Sequence, residues 1–475
     1  MHLAFVRSRS QAGLAAPDVT VEVHLGSGLP GFQVVGVSES TTRQIRGRVR
    51  SAILSSHLKW PDFNITINLA PTEQPKEGAR YDLPIALGLL VASKQLPEQS
   101  IEKREFFGEL GLDGAIHPFR GCLAAALAAT QAGHECGIGL PGAPEMATLT
   151  AGRLIAAPDL LSLCARLRAP DPEYVPEVST LDADIPSYPD LSQLKGQPLL
   201  CMALEVAAAG GHHLLMTGPP GVGKTMAASV LPGLLPPMPK KTAQELRLLQ
   251  DVAGAAQCDA PPFRAPHHSS SVASLMGGTA RALPGEISMA HGGVLFLDEL
   301  SEFPHTVLNQ LRQPLETGHI RVNRAQCQHL YPAQFQLVAA MNPCPCGLAG
   351  DPDCRCRCTP DRIRRYRQGI SGPLMDRIDL HITLQRPSPE FLLIKSSTNA
   401  SYSSDLKHRV GLLQNRQRER QGCLNRELAG DDLLKACQLK SNTERWLINA
   451  AATLNLSARS THRRLRVART LADMA

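Results

Sequence analysis

At 475 residues, 43% of them apolar and 19% charged, the chain is globular in composition and too long for one ordinary hydrophobic core, so two or three domains are expected. Its apolar runs, such as residues 83–93 and 199–209, fall short of the roughly 20 residues of a membrane span, and no transmembrane helix is expected. A net charge of +6 is only mildly basic, which permits nucleic-acid binding through local patches without requiring it.

The first residues carry Arg7 and Arg9 but no apolar core ahead of a small-residue cleavage site. No signal peptide is expected, and the cytoplasm is the expected address. Thirteen cysteines fit a reducing compartment as buried thiols or metal ligands. Alternating runs at residues 19–25 and 65–69 predict strands, and the Ala-rich run 121–132 predicts a helix, so the first segment reads as α/β. Arg43, Arg46, Arg48 and Arg50 form a basic stretch there, readable as a DNA-handling surface or as a solvated helix face. Pro170, Pro172, Pro176, Pro186 and Pro189 among scattered acids mark residues 169–189 as a linker between domains 1–168 and 190–386.

Beyond the linker, residues 213–216 predict a short strand and 226–231 a helix. Between them Gly218-Pro219-Pro220-Gly221-Val222-Gly223-Lys224-Thr225 satisfies the phosphate-loop pattern in full. Glycines let backbone N–H groups close around phosphates at a helix N-terminus, where the partial positive charge favours anions. Lys224 would neutralise the β and γ phosphates of ATP, and the Thr225 hydroxyl would ligate Mg2+. Val294-Leu295-Phe296-Leu297 reads as a buried strand ending in Asp298 and Glu299. Asp298 would hold the magnesium through water and Glu299 would activate the attacking water; the plainer reading is a core strand followed by helix-capping carboxylates. A third strand, residues 335–340, ends at Asn342, which could position that water or simply close a turn.

Cys344, Cys346, Cys354, Cys356 and Cys358 fall within residues 344–358. Two C-x-C pairs across a Gly/Asp/Pro-rich loop could give four thiolates to a tetrahedral Zn2+, with one cysteine surplus; the alternative is a run of reduced surface thiols. Arginines crowd residues 355–377 and the C-terminal stretch holding Arg459, Arg463, Arg464, Arg466 and Arg469, a pattern suited to sequence-independent phosphate contacts. With 4% aromatics no base-stacking platform is visible. Residues 387–475 read as mainly polar helices.

The phosphate loop, Gly292-Gly293-Val294-Leu295-Phe296-Leu297-Asp298-Glu299-Leu300, Asn342 and Ser371-Gly372-Pro373-Leu374-Met375-Asp376-Arg377-Ile378-Asp379-Leu380 together resemble the magnesium-chelatase branch of the AAA+ ATPases, and within it the ComM/YifB type. Phe263-Arg264-Ala265-Pro266-His267-His268, Pro284-Gly285-Glu286-Ile287-Ser288 and Met341-Asn342-Pro343-Cys344-Pro345-Cys346-Gly347 are specific to the likeness, which runs the length of the chain. The resemblance implies an α/β fold with an N-terminal Lon-protease-like domain, an AAA+ αβα sandwich and a C-terminal helical lid over residues 387–475. It further implies a hexameric ring in which Arg377 reaches a neighbour's γ-phosphate and Arg459 serves as the second sensor. Residues 190–197 resemble the segment that covers the adenine. The family's pattern matches Cys344, Cys346, Cys356 and Cys358 as zinc ligands, leaving Cys354 over. Pore contacts would come from a hairpin around residues 320–331.

Pro75-Lys76-Glu77-Gly78 and Gly108-Glu109-Leu110-Gly111-Leu112-Asp113-Gly114 carry the Lon-like resemblance, but the places of its serine and lysine hold Ala79-Arg80-Tyr81-Asp82 and Arg120-Gly121-Cys122-Leu123. Without an activated nucleophile no acyl transfer is expected. The activity implied is a DNA helicase promoting branch migration during natural transformation. The alternative is the magnesium-chelatase subunit driving metal insertion into a porphyrin.

Overall fold

The computed structural model describes residues 2–71, 78–150, 154–169, 186–278, 282–324, 327–350, 356–386 and 402–475. Cys354, Pro75 to Glu77 and residues 170–185 of the expected linker lie outside them. The chain divides into two compact units, Met1–Ala183 with Arg247–Gln257, and Asp184–Leu246 with Cys258–Ala475.

Unit 1 holds β1 (His2–Arg9), β2 (Asp18–Gly26), β3 (Gly31–Val34), β4 (Asn64–Ala70), β5 (Arg104–Phe106), β6 (Glu109–Leu110), β7 (Ile116–His117), β8 (Glu135–Gly139) and β9 (Leu154–Ala157). Seven of these form a mixed sheet in the order β3-β4-β2-β1-β5-β8-β9. The alternation read in the sequence is the pleat of β2 and β4: Val19, Val21, Val23 and Leu25 are buried with Ile65, Ile67 and Leu69, and Val21 lies opposite Leu69. Helices α1 (Glu39–Ser55), α2 (Asp82–Ala92) and α3 (Cys122–Gln131) follow the same logic. The apolar run at 83–93 is α2, buried at every residue because it is apolar all round. A Cβ on Gly88 would lie 2.6 Å from Val23 Cγ2, so glycine sets how closely α2 approaches the sheet.

On α1 the basic stretch divides. Arg43, Arg46 and Arg50 are exposed, whereas Arg48 makes a two-pronged ion pair, 2.6 and 3.1 Å, with the buried carboxylate of Asp82. Burial pushes Asp82 up to about 6 against the downward pull of Arg48.

Unit 2 holds β10 (Leu214–Thr217), β11 (Phe263–Arg264), β12 (Val294–Leu297), β13 (His319–Arg324), β14 (Cys327–Pro332), β15 (Gln336–Met341) and β16 (Leu380–Thr383). Five form an all-parallel sheet in the order β11-β12-β15-β10-β16, and β13 and β14 make a separate antiparallel hairpin. Because a parallel sheet is covered on both faces, its strands are apolar without alternation: β12 and β15 are buried at every residue. Helices α4 (Pro198–Gly210), α5 (Lys224–Leu234), α6 (Arg312–Thr317), α7 (Pro360–Gln368), α8 (Tyr402–Gln421) and α9 (Ala458–Met474) surround it. The C-terminal helices dock on the end of α4, whose unsatisfied carbonyls at Ala208 and Ala209 accept from Gln414 and Gln417 at 2.8 and 3.0 Å. His212 Nε2 lies 2.8 Å from Thr470 Oγ1 of α9 and His212 Nδ1 lies 3.4 Å from Asp379. No helix among the described residues is long and apolar enough to cross a membrane.

Candidate nucleotide site

Parallel strands deliver the loops that follow them to one edge of the sheet, and β15 lies between β10 and β12. The phosphate loop after β10, the acids after β12 and Asn342 after β15 therefore converge. Gly221 and Gly223 take φ of +81° and +90°, open to glycine without strain, and the chain then enters α5 at Lys224. Lys224 is 8% exposed, and its ammonium donates to the carbonyls of Gly218 and Pro219 at 2.6 and 3.0 Å and to Asn342 Oδ1 at 3.0 Å. Burial lowers its pKa, while Asp298 and Glu299 pull the other way. Residues 190–197 reach the same edge, where Gln197 donates to the Gln385 carbonyl at 2.9 Å.

The Thr225 hydroxyl donates to Asp298 Oδ2 at 2.8 Å, and Asp298 Oδ1 accepts from the Glu299 backbone N–H at 2.9 Å. Hydroxyl and carboxylate thus share the small locus that a magnesium ion needs, since Mg2+ binds through one or two protein oxygens and keeps several waters. Glu299 sits at φ 51°, a left-handed conformation uncommon outside glycine and characteristic of functional sites. Its carboxylate is 3.1 Å from His268 Nδ1. The sequence marks residues 263–268 as a distinctive stretch but gives His268 no role. Only the pairing of β11 with β12 shows that its histidine faces the acid.

Immediately after Asn342 the chain forms the cysteine cluster. The Sγ atoms of Cys344, Cys346, Cys356 and Cys358 all lie within 4.8 Å of one another. The separations Cys344–Cys346 (3.3 Å), Cys344–Cys356 (3.6 Å) and Cys346–Cys356 (3.5 Å) are too long for disulfides and near the edge of about 3.8 Å that a ZnS4 tetrahedron with bonds of about 2.3 Å requires. The backbone N–H of Leu348 and the Cys344 sulfur bring the Cys346 thiol down to about 6. The cluster abuts the phosphate loop: a Cβ on Gly347 would lie 2.7 Å from Pro220 Cδ. It also precedes α7, whose Arg362, Arg364, Arg365 and Arg367 are exposed, with Arg367 reaching back to the Pro343 carbonyl at 3.3 Å.

Arg377 and Arg459 lie elsewhere. They line a cleft of about 330 Å³ together with His213 and Phe335, which precede β10 and β15, so the cleft is at the strand-entry edge, opposite the phosphate loop. Both pair with Glu316 at the end of α6, Arg459 at 3.5 Å. The C-terminal arginines require a correction as a DNA-facing patch. Arg463 donates to the carbonyls of Met375 and Ile378 at 3.0 and 2.9 Å, Arg469 pairs with Asp473 at 2.6 Å, and the Arg466 Nε is buried; Arg464 alone of the four after Arg459 is exposed. Helical spacing turns residues 459, 463 and 466 to one face, which here lines the cleft, Arg459 exposed and Arg463 and Arg466 partly buried.

Three family models match in succession: "Subunit ChlI of Mg-chelatase" over residues 21–139, "Magnesium chelatase, subunit ChlI" over 190–392 and its C-terminal model over 400–475. YifB of Salmonella typhimurium is 42% identical over 479 residues, covering 100% of this chain and 94% of its own. Competence protein ComM of Haemophilus influenzae is 41% identical over 483 residues, with the same coverage. The magnesium-chelatase 67 kDa subunit of Heliobacterium mobile is 26% identical over 226 residues, 41% of this chain and 30% of its own. Likeness of that extent, on an α/β AAA+ fold, means that the chain belongs to the ComM/YifB-type magnesium-chelatase-like family.

Proposed function

We propose that the protein is an ATP-hydrolysing motor that assembles into a hexameric ring in the cytoplasm and remodels branched DNA. The observation that carries the reading is the separation of parts across one sheet. Lys224, Thr225, Asp298, Glu299 and Asn342 gather at the strand-exit edge, while Arg377 and Arg459 gather at the opposite edge. Hydrolysis in phosphate-loop enzymes depends on a cation that neutralises charge on the transferring phosphoryl oxygens. Protomers packed edge to edge would supply it, each lending Arg377 and Arg459 to its neighbour. Within one protomer Lys224 holds the β and γ phosphates, Thr225 and Asp298 hold magnesium, Glu299 takes the proton of the attacking water and Asn342 orients that water. A magnesium ion held by Thr225 and Asp298 would supply positive charge against the charge that develops on the phosphoryl group.

DNA is the substrate best supported. The β13–β14 hairpin buries Ile320, Val322 and Tyr331 on one side and exposes Arg321 and Asn323 on the other, and α7 adds four exposed arginines. Such contacts would bind phosphates without reading sequence. The relative named for competence favours a role in strand integration during transformation. The N-terminal unit is read as a Lon-like domain without protease chemistry. At the serine place Arg80 lies 4.8 Å over the Phe119 ring and donates to Gln11 at 2.8 Å, and at the lysine place the backbone N–H groups of Gly121 and Leu123 donate to Asp251 at 3.2 and 2.8 Å.

ATP turnover is expected to rise severalfold with forked or four-way DNA and to vanish in Lys224→Ala. Turnover indifferent to every DNA, or stimulated instead by porphyrin with magnesium insertion, would move the protein to the chelatase class. The four cysteines would hold a structural Zn2+, all ligand positions being filled. Purified protein is expected to carry about one zinc per chain by elemental analysis, and Cys356→Ser to lose it and melt about 5 °C lower or more. Zinc-free protein with a wild-type melting curve would leave the cluster as plain thiols.

A further inference from the structure

At the strand-entry edge of unit 2 one carboxylate serves two guanidiniums. Glu316 pairs with Arg377 and lies 3.5 Å from Arg459, and its side chain is half-exposed. Burial, then the fields of Arg459 and of Arg312 on the same short helix, hold the Arg377 guanidinium below its ordinary range. Arg377 Nε is buried without a hydrogen-bond partner among the described residues. The cluster is therefore short of acceptor oxygens, and a carboxylate offers two where a phosphoryl group offers three. Arg463 meanwhile binds the Met375 and Ile378 carbonyls that bracket Arg377, so the Arg377 segment is tied to α9, the helix that carries Arg459.

Glu316 also stands three residues before the hairpin. Gly318 closes α6 at φ +69°, β13 begins at His319, and the Ala333 N–H returns to the Gly318 carbonyl at 2.7 Å to seal the hairpin base. Less than one helical turn therefore separates Glu316 from that base.

We infer that Glu316 is a positioning residue that occupies the phosphate's place in a free protomer, holds Arg377 and Arg459 until a neighbour's ATP displaces it, and passes that exchange to the β13–β14 hairpin. The inference rests on the ring reading. The γ-phosphate would compete for the same Arg377 Nη2 and Arg459 Nη2 groups that Glu316 now holds, so its arrival would release Glu316. A hairpin loaded with DNA would in turn bias Glu316 away from the arginines, which is how DNA would stimulate hydrolysis.

The test is Glu316→Gln, which keeps the shape and removes the charge. Expected are a DNA-free kcat about three- to tenfold above wild type, an unchanged KM for ATP and a DNA-stimulation ratio reduced by a similar factor. Glu316→Asp should return the DNA-free rate toward wild type, and fluorescent-nucleotide binding with a wild-type-like melting curve confirms folding. Wild-type rates and ratio in Glu316→Gln, or a folded variant with lost DNA-free turnover, would overturn the inference. If that happens while Arg377→Ala is inactive, the ring reading stands; if Arg377→Ala turns over ATP normally, the ring reading and the inference fall together.

Discussion

Arg377→Ala is expected to lower ATP turnover about 10³-fold while leaving nucleotide binding intact. The reason is topological. β10 and β16 run parallel, with Leu214 opposite Leu380 and Thr217 opposite Thr383. The phosphate loop leaves the far end of β10, whereas Arg377 stands three residues before β16, and four residues of strand span about 13 Å. The guanidinium is further committed to the Pro373 carbonyl and Glu316 on its own side of the sheet. On the ring reading proposed above, its phosphate would come from another chain. A mixture of Arg377→Ala with Lys224→Ala should therefore recover part of the activity that each lacks, because some interfaces pair an intact phosphate loop with an intact arginine. Absence of recovery from folded, co-assembled variants would return Arg377 to a role within its own chain.

What the sequence makes legible follows from how local each constraint is. The strand, loop and helix around residues 213–231 are readable because φ, charge and hydroxyl requirements fall on consecutive positions, and β10 and α5 stand where the pattern puts them. The four cysteines are readable for the same reason, their spacing being short. Pairing across the fold is not. Arg459 meets Glu316 over 143 residues of sequence, and Arg48 looks like part of a basic face until Asp82, 34 residues on, is folded against it. His268 finds Glu299 only because β11, a strand of two residues with no periodicity to betray it, pairs with β12. The C-terminal arginines mislead in the same way. Charge counts record how many guanidiniums are present, but helical phase and the position of α9 decide which of them face inward.

Glu299→Gln is expected to leave ATP binding intact and lower turnover about 10²- to 10⁴-fold, the range of a lost general base. Glutamine preserves the length of the side chain and its capacity to accept from His268, and the left-handed backbone at residue 299, fixed by the Asp298 Oδ1 hydrogen bond, is indifferent to the change. Only the capacity to accept the water's proton is removed. Lys224→Ala and Asp298→Asn, by contrast, strike the groups proposed to hold phosphate and magnesium, and should show the loss in binding as well. If the ring reading holds, retained γ-phosphate would keep Arg377 and Arg459 of the neighbour engaged, and DNA should leave the assembly more slowly from Glu299→Gln than from wild type in a fluorescence-anisotropy chase with ATP present. Wild-type turnover in Glu299→Gln would mean that another group activates the water, and the two polar side chains already within contact of this apparatus, Asn342 on Lys224 and His268 on Glu299, would be the next to substitute.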